Sequence, residues 1–166
     1  LETFLRAVNR VEPSLIRIEA DEATYNLHII LRYELEKELI EGSLSTSELP
    51  EAWNAKMEEY LGVIPPNDRL GVLQDVHWTS GGFGYFPTYA LGNLIAAQIW
   101  DLAHQAIPEL EEEIAAGKFD HFREYLRANI HRYGAKLPPR QLLKQLTGSE
   151  TPDPRPFLAY LEKKFA

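Results

Sequence analysis

Apolar residues recur at steps of three and four over most of the chain, which is the helical period. Phe4, Leu5 and Val8 mark a short opening helix. Val11–Ile18 carries Pro13 with Leu15, Ile16 and Ile18, and reads as an extended segment leading into a helix for which Asp21 is the N-cap. Ala23, Leu27, Ile30, Leu31, Leu35 and Leu39 then define an amphipathic helix that Gly42 stops. Ser45 with Glu48 is a capping-box pattern ahead of Pro50, Trp53, Met57, Tyr60 and Leu61, and Gly62 ends that helix.

From Val63 to Pro87 the period is lost, with Pro65–Asp68 and Ser80–Gly84 bracketing Leu70–Trp78. It returns at Thr88 and persists through Leu91, Leu94, Ile95, Ile99 and Leu102 until Pro108. Shorter helices are predicted over Glu109–Ala116, Phe119–His131 and Pro139–Leu146, and a last one carries Phe157, Leu158, Leu161 and Phe165. The pattern predicts a mainly α protein in which one-sided helices pack on one another.

Composition narrows the chemistry. The 166 residues hold 17 Lys plus Arg against 25 Asp plus Glu, a net charge of -8, which argues against a nucleic-acid partner. With no cysteine, disulfides, thiolate metal sites and a thiol nucleophile are excluded, so any metal would need His and carboxylate ligands. Apolar runs are short, so no membrane partner is expected. Without cysteine or a visible signal peptide, a cytoplasmic location is the expectation. The first residues already read as the middle of a helix, and Leu1 is expected not to be the natural start.

Phosphate-binding and nucleophile-elbow motifs are absent, and no two histidines stand four apart with a Glu between them. What remains is the irregular segment. Within a few residues it offers the His77 imidazole, the Asp75 carboxylate, the phenols of Tyr85 and Tyr89, and glycines that let a backbone approach a ligand. Such a loop suits donation to a developing oxyanion. It could equally be a buried aromatic turn with Trp78, Phe83 and Tyr85 in the core. Arg17 stands between Ile16 and Ile18, where a guanidinium fork could take a carboxylate or pair with Glu19, Asp21 or Glu22.

Two segments carry a resemblance. Ile16-Arg17-Ile18-Glu19-Ala20-Asp21 and Gly71-Val72-Leu73-Gln74-Asp75-Val76-His77-Trp78 resemble the Ile-Arg-x-x-Ala-Asp and Gly-x-x-Gln-Asp-x-His-Trp signatures of the Taq carboxypeptidase family, thermostable His-Glu-x-x-His metallocarboxypeptidases. Tyr133-Gly134 and Leu142-Leu143 through Thr147-Gly148 also look familial.

The resemblance implies a neurolysin-like helical fold, of which this chain would be the C-terminal portion and a single substrate-binding segment. It also implies a homodimer, zinc or another divalent metal held by upstream residues outside this chain, and release of amino acids from peptides with a free C-terminus. Carried over, Arg17 would bind the terminal carboxylate, while His77 and Tyr85, or else Tyr89, would face the scissile carbonyl. Asp75 would orient His77, Gln74 and Trp78 would shape the wall, and Asp21 would bind substrate or only cap the helix that aims Arg17. Alone, the chain would be inactive without the missing N-terminal part. A non-catalytic helical peptide-binding module is the alternative.

Overall fold

The computed structural model describes residues 1–165, and these form α-helices, short 3-10 turns and loops without a β-strand. The elements are α1 (Glu2–Val8), α2 (Tyr25–Glu41), α3 (Leu49–Leu61), α4 (Pro87–Ala106), α5 (Leu110–Ala115), α6 (Asp120–Asn129), α7 (Pro139–Thr147) and α8 (Arg155–Phe165). Among the described residues, no helix is long and apolar enough to cross a membrane.

The described residues divide into two compact units, 1–90 with 161–165, and 91–160. In the first, α2 packs on α3 around Leu31, Leu35, Trp53, Met57 and Leu61, with Leu15, Val72 and Trp78 against that core. In the second, Ala103, Leu110, Leu143 and Phe157 are buried. There the Gln98 side-chain oxygen accepts from the Asp153 amide at 2.9 Å.

The glycine stops read from the sequence operate as expected, but the N-caps do not: α2 is capped at Thr24 rather than Asp21 and α3 at Glu48 rather than Ser45, neither with a side-chain cap bond. Asp21 Oδ1 accepts from the amides of Ala23 (3.0 Å) and Thr24 (2.9 Å), satisfying free donors at the approach to α2. Gly42 and Gly62 end α2 and α3 in the left-handed region, at φ 75 and 68. The helix expected over Phe119–His131 stops earlier. Ile130 turns to φ -128, ψ -64 and the chain enters a 3-10 turn at His131–Tyr133.

The buried face of α2 differs from the predicted one. Ile30 is 42% exposed, whereas Ile29 is buried together with His28, Arg32 and Glu36. These three polar residues follow one another at intervals of four, so they form a stripe along one side of the helix. The irregular segment after α3 lies along that stripe.

Candidate functional site

Asp75 is the centre of the site. Its Oδ1 accepts from Arg17 Nη2 at 2.7 Å and its Oδ2 from Arg32 Nε at 2.7 Å, so one carboxylate is held between two guanidinium groups. Both arginines are buried, Arg17 at 6% exposure and Arg32 at 0%. Burial alone would raise the Asp75 pKa, but the two guanidiniums outweigh it and hold the carboxyl below its ordinary range. Burial likewise pushes Arg32 down, to about 10, which leaves it charged at neutral pH.

Gln74 ties the same pieces together. Its side-chain oxygen accepts from the Arg17 amide (3.0 Å) and from Arg32 Nη2 (2.8 Å). Its side-chain nitrogen donates to the carbonyls of Leu15 (2.9 Å) and Leu70 (3.0 Å). Every polar atom of this amide is therefore occupied, and the strand of chain bearing Arg17 is fixed to the loop bearing Asp75. The Arg17 partner is Asp75 rather than any of the neighbouring acids Glu19, Asp21 and Glu22. Its Nη1 also donates to the Tyr25 hydroxyl at 3.0 Å.

The aromatic cluster adjoins this ionic centre. Arg17 Cζ lies 4.9 Å from the Tyr89 ring centroid. The Tyr89 hydroxyl is 3.2 Å from His77 Nε2, and the Tyr85 ring stacks on His77 with centroids 5.6 Å apart. Phe86 lies beneath the imidazole at 4.4 Å and is the buried aromatic of the segment, 1% exposed. Phe83 and Tyr85, at 44% and 50%, are open to solvent, so a fully buried aromatic turn is not what forms.

Asp75 does not act on His77 as the sequence suggested. His77 Nδ1 is 3.8 Å from Asp75 Oδ1, beyond hydrogen-bond reach, and is buried without a partner. Both carboxylate oxygens are committed to arginine, so the imidazole is set by Tyr89 and its ring contacts instead. Asp21 likewise stands apart from this cluster, in the turn ahead of α2, its Oδ2 accepting from the Glu12 amide at 2.9 Å.

Glu36 holds the far end of the loop. Its carboxyl accepts from Trp78 Nε1 at 2.8 Å and from the Gly84 amide. Gly84 has φ +78, where a side chain would be strained, and a Cβ on Gly82 would stand 3.0 Å from the His77 carbonyl oxygen. Trp78 is therefore anchored, edge-on to Trp53 at 6.2 Å. Arg32 and Glu36 escaped the sequence analysis. Their signal was a polar stripe inside an otherwise apolar helix face, which a count of hydrophobic positions passes over.

No group of three or more His, Asp or Glu able to hold a metal ion occurs among the described residues. His77 has an aromatic and a tyrosine hydroxyl for neighbours, with Asp75 already neutralised, so the donor set here does not fit a resident divalent ion.

Residues 1–165 match the family model for Carboxypeptidase Taq (M32) metallopeptidase. Thermostable carboxypeptidase 1 of Thermus thermophilus is 56% identical over 166 residues, 100% of this chain and 32% of that protein. Carboxypeptidase 1 of Bacillus subtilis is 43% identical over 166 residues, again 100% of this chain and 33% of that protein. The solved structure of the M32 carboxypeptidase from Deinococcus radiodurans R1 superposes with a TM-score of 0.94 at 43% identity, covering 99% of this chain and 33% of that one. The chain spans about a third of the length of the relatives it matches.

Proposed function

The chain belongs to the Carboxypeptidase Taq (M32) metallopeptidase family, and from that premise we propose that it is the substrate-binding portion of a metal-dependent carboxypeptidase. The complete protein would release amino acids from peptides with a free C-terminus. Metal and water activation would come from polypeptide outside these residues, and this chain alone would not hydrolyse a peptide bond. Zinc is the divalent ion we favour, a homodimer the assembly, and the cytoplasm the location.

One observation carries this reading: two buried guanidiniums share one carboxylate directly beside an imidazole and two phenols. Within this triad two positive charges face one negative, which leaves a positive excess. Arg17 has five N–H donors by its chemistry, and its Nη1 and Nη2 each retain a hydrogen beyond the bonds to Tyr25 and Asp75. A peptide's terminal carboxylate is a ligand that such an edge would accept.

His77 and the phenols serve the other end of the same residue. With its hydroxyl unbonded to His77 and its ring half exposed, Tyr85 is the phenol we assign to the scissile carbonyl. Tyr89, bonded to the imidazole, holds His77 in place. Gln74 and Trp78 contribute to the wall through the contacts that fix them. Chemically, this chain would bind the carboxylate, fix the terminal residue and donate to the oxygen on which negative charge develops.

The test is Arg17→Ala in the complete enzyme. Asp75 would keep Arg32 as partner, so no buried carboxylate is orphaned. We expect kcat/KM on peptides with a free C-terminus to fall by the equivalent of about 2–5 kcal/mol, with a much smaller change for C-terminally amidated peptides. Equal losses on the two would remove Arg17 from carboxylate recognition.

A further inference from the structure

The polar stripe of α2 contains an arginine that no ligand could touch. Arg32 is 0% exposed and every part of its guanidinium faces protein. Nε donates to Asp75 (2.7 Å), Nη1 to the His28 carbonyl (2.8 Å) and Nη2 to Gln74 (2.8 Å). Its Cζ lies 4.5 Å from the Trp53 ring centroid and 5.6 Å from that of Phe86. A charge set this deep is retained at a desolvation cost, and a hydrophobic residue would fill the space more favourably unless the charge is used.

Its use follows from how the Asp75 carboxylate is divided. A single Arg17–Asp75 pair would be close to neutral from outside, and a substrate carboxylate approaching Arg17 would meet repulsion from Asp75 as well as attraction. Arg32 holds Oδ2 at 2.7 Å from the interior side, while Arg17 takes Oδ1 through Nη2 at 2.7 Å and reaches both oxygens at 3.3 Å through Nε. Of the neighbouring groups, Glu36 gives its carboxyl oxygens to Trp78 and Gly84 rather than to either arginine, and His28 is kept neutral because burial and the two arginines disfavour its charged form. The positive excess of the Arg17–Asp75–Arg32 triad is then open to a ligand only at Arg17, the less buried of the two arginines.

We infer that Arg32 is a positioning residue: it neutralises Asp75 from within the core so that Arg17, oriented by that same carboxylate, keeps its positive charge for the C-terminal carboxylate of a peptide. This rests on the reading of Arg17 given above. Arg32 touches no substrate; its effect is transmitted through Asp75 and Gln74 and belongs to binding rather than to the chemical step.

The experiment compares matched free-acid and C-terminally amidated peptides as competitive inhibitors of the complete enzyme, with thermal unfolding of each variant measured alongside. Arg32→Met should lower the preference for the free acid by at least about tenfold, raising KM for substrate far more than it changes kcat. Arg32→Lys keeps a cation beside Asp75 but loses the fork, and should retain most of the preference. Arg32→Met combined with Asp75→Asn removes both charges, leaves no unpaired buried carboxylate, and should recover preference relative to Arg32→Met. That double variant also serves if Arg32→Met alone does not fold, and then it must still prefer the free acid.

An undiminished preference in Arg32→Met would overturn the inference, as would equal losses in Arg32→Lys and Arg32→Met or no preference in the double variant. Arg17→Gln separates the two levels. If Arg17→Gln abolishes the preference while Arg32→Met leaves it intact, only the role of Arg32 fails; if Arg17→Gln leaves it intact, the carboxylate reading of Arg17 fails and the inference falls with it.

Discussion

His28 is fully buried with neither ring nitrogen hydrogen-bonded. Burial first, and then the charges of Arg32 and Arg17, lower its pKa from 6.5 to about 4. Above pH 6.5 the imidazole is neutral whether the chain is folded or not. Between 6.5 and about 4 the unfolded chain takes up a proton that the folded chain refuses, so stability declines as the solution is acidified through that window. The loss amounts to as much as about 3 kcal/mol and levels off below the folded value. Denaturant unfolding followed across this range should show that slope, and His28→Leu should flatten it. Asp75, held below its ordinary 3.8, loses most of its contribution at lower pH than this window. At the phenols, Tyr85→Phe in the complete enzyme should reduce kcat by the equivalent of about 2.7–4 kcal/mol with little change in KM. Single-turnover kinetics would reveal it, and an unchanged kcat would transfer that role away from Tyr85.

At the scale of elements, α2 does two jobs with adjacent stripes. Leu31 and Leu35, both 0% exposed, lock it to α3, and Leu35→Ala should cost about 2–5 kcal/mol of stability. Arg32 and Glu36 hold the ends of the irregular segment, so Glu36→Ala should free Trp78 and Gly84 and accelerate amide exchange across residues 78–84 while α2 and α3 stay protected. The helices themselves were legible, since Gly42, Gly62 and Gly148 stop them where the apolar period ends and Pro87 and Pro139 begin them. The face of α2 was misread because periodicity weighs apolar residues alone: it assigned Ile30 to the core and had no means of burying a His, an Arg and a Glu. Arg17, Gln74, Asp75 and His77 stood out through the motif resemblance. That they converge 58 residues apart in sequence, as Arg17 and Asp75 do, is a tertiary fact no local pattern encodes.

For the whole molecule, the proposed function divides the labour between this chain and polypeptide outside it. The described residues assemble the Arg17–Asp75–Arg32 cluster but no three-ligand metal group, and the chain spans about a third of its relatives' length. On the function proposed above, carboxylate binding and metal chemistry would be separable in the complete protein, and a chelator should abolish hydrolysis while leaving recognition of the peptide terminus in place. The most direct measurement is calorimetric titration of the complete, metal-stripped polypeptide with one peptide as free acid and as C-terminal amide. The account predicts that the free acid binds at least about tenfold more tightly and that Arg17→Gln erases the difference. Equal affinities for the two peptides, or a difference that survives Arg17→Gln, would contradict it.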